Sequence, residues 1–190
     1  FGLNLLVTRG LMKPNSKEAK EFVDTYLAHI IAHEVGHTLG LRHNFKASTL
    51  QSAEKLHDWA YTKERALVAS VMDYIPINIA PEGVEQGQYI PAGLGPYDYW
   101  AIEYAYKPLD ASNLDAQKEE LERIASKAAD PRVAYGTDED SRSAPVGIDP
   151  TSNIWDLGND PIQFYKNRVA LTKELWSKIE TSFEKEGDRY

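Results

Sequence analysis

Three histidines stand at positions 33, 37 and 43, within the run His33-Glu34-Val35-Gly36-His37-Thr38-Leu39-Gly40-Leu41-Arg42-His43. Their spacing constrains the backbone. Residues four apart lie on one side of an α-helix, so His33 and His37 project together if this segment is helical. Two imidazoles placed that way can bind one zinc ion. Glu34 is offset around the helix axis and can reach a water on the metal without being a ligand itself. Gly40 tolerates a positive φ, which lets the chain turn sharply after the helix and bring His43 round as a third ligand. Three protein ligands leave one position open, the arrangement of a catalytic zinc rather than a structural one. At this chain's own residue frequencies, an accidental match to the His, Glu and Gly positions has a chance on the order of 10⁻⁵.

Local signals place the motif in a largely helical chain. Asn15 followed by Glu18 fits a capping box with Asn as the cap, so a helix is expected from about Ser16 to Leu39. Phe22, Tyr26, Ile30, His33 and His37 share one face of it, and Gly40 is its stop. Residues 1–8 read as a short strand or an apolar lead-in. Residues 49–68 have helical character. The Pro- and Gly-punctuated stretch that follows, from Ser70 to about Gly95, reads as loop. Pro96 suits the first turn of a helix that runs to about Tyr106. A further amphipathic helix is expected near Asn113–Ala128, with Leu114, Leu121, Ile124 and Ala128 on one stripe. Residues 130–160 look irregular. Asp160-Pro161 opens a last helix to about Lys185, with Ile162, Tyr165, Val169, Trp176, Ile179 and Phe183 facing inward. The fold class is mainly α.

Composition excludes several classes of function. The 190 residues suit one domain. The net charge of −8 disfavours a nucleic-acid partner. The excess is uneven: residues 1–95 hold 9 Lys/Arg against 10 Asp/Glu, and residues 96–190 hold 12 against 19. Cysteine is absent, which removes disulfides and thiolate ligands. The longest apolar candidate, Tyr26–Val35, is broken by His29, His33 and Glu34, so no membrane span is expected. The chain begins at Phe1 and reads as a piece of a longer protein, with no localisation signal of its own.

The motif resembles the HExxHxxGxxH consensus of the metzincin clan of zinc peptidases. That clan also has a tight turn whose Met lies beneath the metal. Ser70-Val71-Met72-Asp73-Tyr74 is similar to it, with Met72 29 positions after His43. HEVGHTLGLRHNF, SVMDY, GPYDYWAIEY and YGTDED together most resemble the Met-zincin domain of large bacterial zinc-dependent peptidases. The resemblance implies a C-terminal-type metzincin subdomain: active-site helix, Met-turn and following helix in residues 1–107, with a helical extension in residues 108–190. It implies Zn²⁺ on His33, His37 and His43, Glu34 as general base, and protein or peptide substrates. It further implies Tyr74 as an oxyanion stabiliser, with a structural hydrogen bond inside the turn as the alternative role. No organic cofactor enters this reading. Secreted, periplasmic or cell-surface placement follows from the resemblance alone.

Two departures matter. Asn44 follows the third histidine where the best-known metzincin families have Glu, Pro, Ser or Asp. Metzincins also have an upstream subdomain with a twisted sheet whose edge strand binds substrate, and only about 15 residues precede the helix here. That subdomain, with other upstream domains of the parent chain, is expected as a partner, and this fragment alone is expected to be weak or inactive. The competing class is a zinc-stabilised scaffold or interaction module. Glu34 argues against it, since a scaffold has no use for a general base. A zinc exopeptidase or amidase is a third class, disfavoured by His43 as third ligand. Other polar residues take plainer readings: His29 packed or superficial, His57 on the surface, Tyr97–Tyr106 in the core. Asp138, Glu139, Asp140, Asp149 and Asp156 read as a solvated acidic loop rather than a calcium site.

Overall fold

The structure is a computed structural model that describes residues 2–110, 112–142 and 149–183. Among them every regular element is helical and no strand is found. In chain order the α-helices are α1 (Gly2–Thr8), α2 (Lys17–Thr38), α3 (Ala53–His57), α4 (Trp59–Thr62), α5 (Pro96–Tyr106), α6 (Leu114–Ala125), α7 (Asp138–Arg142) and α8 (Pro161–Phe183). Short 3-10 turns cover Ala47–Leu50, Ser126–Ala129 and Pro131–Val133. No described helix is long and apolar enough to cross a membrane.

Local chemistry sets most helix starts. Ser16 caps α2, its hydroxyl accepting from the Ala19 N–H at 3.2 Å. The expected cap, Asn15, instead sits one residue earlier at φ 62°, turning the chain into the helix. Gly40 stands just past α2 at φ +86°, and the Leu41 N–H closes back on the Gly36 carbonyl at 3.0 Å. Asp160 accepts from the Gln163 N–H at 2.9 Å and starts α8 as expected. Residues 2–8 are helical, which replaces the strand alternative. Residues 49–68 break into α3, α4 and part of a 3-10 turn rather than one helix.

The interior is organised around the stretch from Lys63 to Gly95, which has no regular structure. Leu67, Val68 and Ile75 pack with Leu56 and Leu157. Ala69 packs with Ala47, Tyr97 and Val133. Ile79 packs with Leu5 of α1 and Leu171 of α8. A loop by sequence is thus the spine by packing. Arg9 clamps α1 to α8 through a two-pronged pair with Glu174, at 2.8 and 2.7 Å, and its guanidinium holds the Glu174 carboxyl down to about 2.

Several expected faces are corrected. On α2, Ala19, His29, His33 and Gly36 are buried, whereas Ile30 is exposed with Val23, Leu27, Ile31 and Val35. On α8, Ile162, Tyr165, Val169 and Trp176 face solvent, and Phe164, Leu171 and Leu175 pack inward. The helix carries two apolar stripes, and contact with Leu5, Leu56 and Ile79 selected the other one. The side chains of Ile179 and Phe183, and residue Lys185, lie outside the described residues. On α6, Ile124 is buried and Leu121 half-buried, but Leu114 is exposed, as is Ala128 in the 3-10 turn that follows. Tyr97 is in the core and Trp100 partly so, while Tyr99, Tyr104 and Tyr106 are exposed. His57 is half-buried rather than superficial, and its Nδ1 lies in the interior.

Candidate metal centre

His33, His37 and His43 come together with their ligand atoms all within 4.8 Å of one another. Ring centroids are 4.7 Å apart for His33–His37, 4.9 Å for His37–His43 and 5.4 Å for His33–His43. α2 positions the first two. The turn at Gly40 returns the chain so that the third approaches from outside the helix.

Hydrogen bonds assign the nitrogens. His33 Nδ1 donates to the Val71 carbonyl at 2.7 Å, and His37 Nδ1 donates to the Leu41 carbonyl at 2.9 Å. A carbonyl only accepts, so both rings carry their proton on Nδ1 and present the Nε2 lone pair. His43 Nδ1 donates to the Asp138 carboxylate at 2.8 Å. Its Nε2 accepts from the Tyr74 hydroxyl at 2.9 Å. His33 Nε2 is buried with no hydrogen-bond partner. A buried lone pair without a partner, in a group of imidazoles whose other nitrogens are held by acceptors, fits a metal ion. Burial pushes the His33 pKa down, against the Val71 hydrogen bond that raises it, and the neighbouring His37 and His43 add to the lowering. The neutral, ligating form is therefore favoured.

The segment of residues 70–74 packs against the helical histidines. Asp98, near the start of α5, accepts from the Gly95 N–H at 2.8 Å, the Val71 N–H at 3.0 Å and the Ser70 hydroxyl at 2.6 Å. Ser70 in turn accepts from the Met72 N–H at 2.9 Å. Net burial raises the Asp98 pKa although these hydrogen bonds pull it down. Met72 is fully buried, and its sulfur lies against Gly36, which stands between His33 and His37 in α2. A Cβ at Gly36 would come within 2.2 Å of that sulfur, so glycine lets the turn approach the helix.

Glu34 is exposed on α2, and its charge raises the His33 pKa. Tyr74 stacks on His33 at 5.0 Å and 19°, and on Trp155 at 5.7 Å and 13°. Trp155 holds a left-handed φ of 65° and is half-exposed. His29 is buried one turn before His33, where desolvation drives its pKa down to about 4. With Thr25, Val71 and Pro91–Leu94 it lines a cavity of about 100 Å³.

The acidic residues read as a solvated loop are individually engaged. Asp138 meets His43, Glu139 pairs with Arg42, Asp140 accepts from the Thr137 N–H, and Asp149 pairs with Lys46. Asp156 is fully buried. Sequence reading missed the contacts of Asp138 and Asn44. A carboxylate pairs with a histidine only through the fold, and the run Thr137-Asp138-Glu139-Asp140 gave no local sign of which acid would turn inward.

A family model described as Met-zincin matches residues 15–190. No curated protein and no solved structure matches the chain.

Proposed function

The chain belongs to the Met-zincin family, and from that premise we propose that it is a zinc-dependent endopeptidase. His33, His37 and His43 would hold the metal through Nε2. The observation that supports this most is the shared arrangement of their nitrogens: each Nδ1 is held by an acceptor, and the ligand atoms gather in one place. When bound, zinc supplies Lewis acidity for carbonyl polarisation and water activation.

The chain's own residues do the rest. Glu34 takes the proton from the attacking water and delivers it to the leaving amine nitrogen. Tyr74, on leaving the His43 nitrogen, turns its hydroxyl to the developing oxyanion. Residues Ile75–Leu94 form a wall of the substrate cleft. The cavity lined by His29 and Pro91–Leu94 is the place on that wall for a substrate side chain. Residues 1–107 constitute the metal-bearing part and residues 108–190 a helical extension. The exposed apolar residues Val23, Leu27, Ile31 and Val35 of α2 offer a face for an upstream sheet subdomain of the parent protein. Residues 1–190 alone then bind zinc but cleave weakly, because alignment of the peptide is a separate contribution to catalysis.

Protonation competes with the metal, so zinc affinity falls as pH drops through the ordinary histidine range of about 6–7. Full zinc occupancy retained at pH 4 in dilute buffer contradicts ligation by histidines only. The decisive test is metal analysis of the full-length parent, followed by a peptide-library digest beside a Glu34→Gln variant. Cleavage lost with Glu34→Gln supports the proposal. A zinc-loaded parent that cleaves nothing across a broad library favours the scaffold class instead.

A further inference from the structure

Two of the three histidines are oriented by the backbone around them: Val71 and Leu41 supply the carbonyls. His43 stands outside α2 and has no such carbonyl. Its Nδ1 is met by a side chain 95 positions away, Asp138, at the start of α7. The pairing is one rung of a ladder. The adjacent Arg42 holds the adjacent Glu139 through both carboxylate oxygens, at 2.8 and 2.7 Å. The Phe45 N–H donates to the Gly136 carbonyl at 2.7 Å. Asn44 is fully buried; its amide donates to the Ala134 carbonyl at 3.0 Å, and its oxygen accepts from the Gly136 N–H at 3.2 Å. Residues 134–139 are thus docked along 42–45 by both backbone and side chains, and Asp138 is delivered to His43.

We infer that Asp138 is the positioning residue of the third metal ligand, so that the segment Ala134–Glu139 completes the metal centre from the second half of the chain. The inference rests on the metal reading above. Its physical content is a tautomer. With Asp138 accepting from Nδ1–H, the His43 lone pair must sit on Nε2, the nitrogen that faces the other two ligands. Without that acceptor the ring can place its proton on Nε2 and donate it to the Tyr74 oxygen, which stands 2.9 Å away. His43 is then lost as a ligand while the fold persists. Asn44, the residue that departs from the better-known metzincin families, acts here by fixing the segment that carries the carboxylate.

The test is zinc titration of residues 1–190 against a competing chelator, with cobalt absorption as a second report on the ligand set. Asp138→Ala is expected to lose about 10–100-fold in zinc affinity. Asp138→Asn should recover most of it, because its amide oxygen still accepts from Nδ1–H. Glu139→Gln, which weakens the neighbouring exposed pair, should stay within about twofold of the wild type. Equal affinity in Asp138→Ala and wild type overturns the inference while leaving the metal reading intact. So does an equal loss in Glu139→Gln, which would trace the effect to docking of α7. A wild type that binds no zinc overturns the metal reading and this inference with it. If Asp138→Ala does not fold, nitrogen–proton correlation spectra of the metal-free wild-type imidazoles decide. A proton on His43 Nδ1 supports the inference, and a proton on Nε2 alone overturns it.

Discussion

The spine from Lys63 to Gly95 and the helices that follow it satisfy their polar groups in opposite ways. The spine lacks a repeating hydrogen-bond pattern, so buried side chains stand in for one. Asp98 collects two backbone N–H groups and the Ser70 hydroxyl. Asp73 accepts from the Ser48 N–H, and Gln51 donates to the Ala66 carbonyl. Asn78 donates to the Leu56 and Gln88 carbonyls. In α5 and α6 the backbone bonds are internal to the helices, except that the Tyr97 N–H donates to the Ala69 carbonyl of the spine. Apart from the inward-facing Asp98 and Trp100, the long-range polar contacts there lie at the surface, where Glu103, Lys107, Glu120, Arg123 and Lys127 form a charged network. Buried acceptors with no substitute carry large penalties when removed, whereas solvated ions exchange one partner for water. The turn beneath the three histidines is built on the first kind of contact.

The largest effect should come from Asp98, the acceptor that α5 supplies to the spine. Asp98→Ala leaves the Gly95 and Val71 N–H groups and the Ser70 hydroxyl unpaired in the interior. It should cost on the order of 3–5 kcal/mol in urea unfolding. A loss near zero would mean that the Met-turn holds its shape without this carboxylate.

Next is a pH effect on the face of α2 that meets the spine. The folded pKa of His29 is depressed to about 4 from 6.5. Its contribution is therefore fully present above the unfolded value and is lost as pH falls from about 6.5 towards 4, where the unfolded chain binds the extra proton. The linked loss is about 3 kcal/mol. Denaturant titrations at several pH values, on wild type and His29→Gln, should differ in slope over that window. Parallel curves would sink the assignment.

Smaller still is Gly36→Ala. Alanine favours a helix interior by about 1 kcal/mol over glycine, but its methyl would meet the Met72 sulfur. Met72 must shift, and a net destabilisation of about 1–2 kcal/mol is expected. A more stable Gly36→Ala protein would show that the turn and helix have room to separate.

The smallest effect belongs to the surface network. Arg123 and Lys107 hold the Glu120 carboxyl down to about 2. Both contacts are exposed, so Glu120→Gln should move the melting temperature barely beyond reproducibility, and added salt should erase the difference. A large, salt-resistant loss would show that this shell matters as much as the spine.

The parts that sequence alone determined are those whose physics is local. Helical spacing puts His33 and His37 on one side whatever else the chain does, and Gly40 makes the turn through its own backbone freedom. Pro96 and Asp160-Pro161 mark helix starts by the same local logic. Tertiary structure decided what depends on partners far along the chain. α8 carries two apolar stripes, and only contact with α1 and the spine chose Phe164, Leu171 and Leu175 over Ile162, Val169 and Trp176. Asp98 reads locally as a helix-start acid, yet it is buried and both of its oxygens also hold the turn at Ser70 and Val71. Asp138 is one acid among several until the ladder from Asn44 brings it to His43. Periodicity and caps act within a few residues, whereas burial and the pairing of distant charges are settled only when the whole chain has packed.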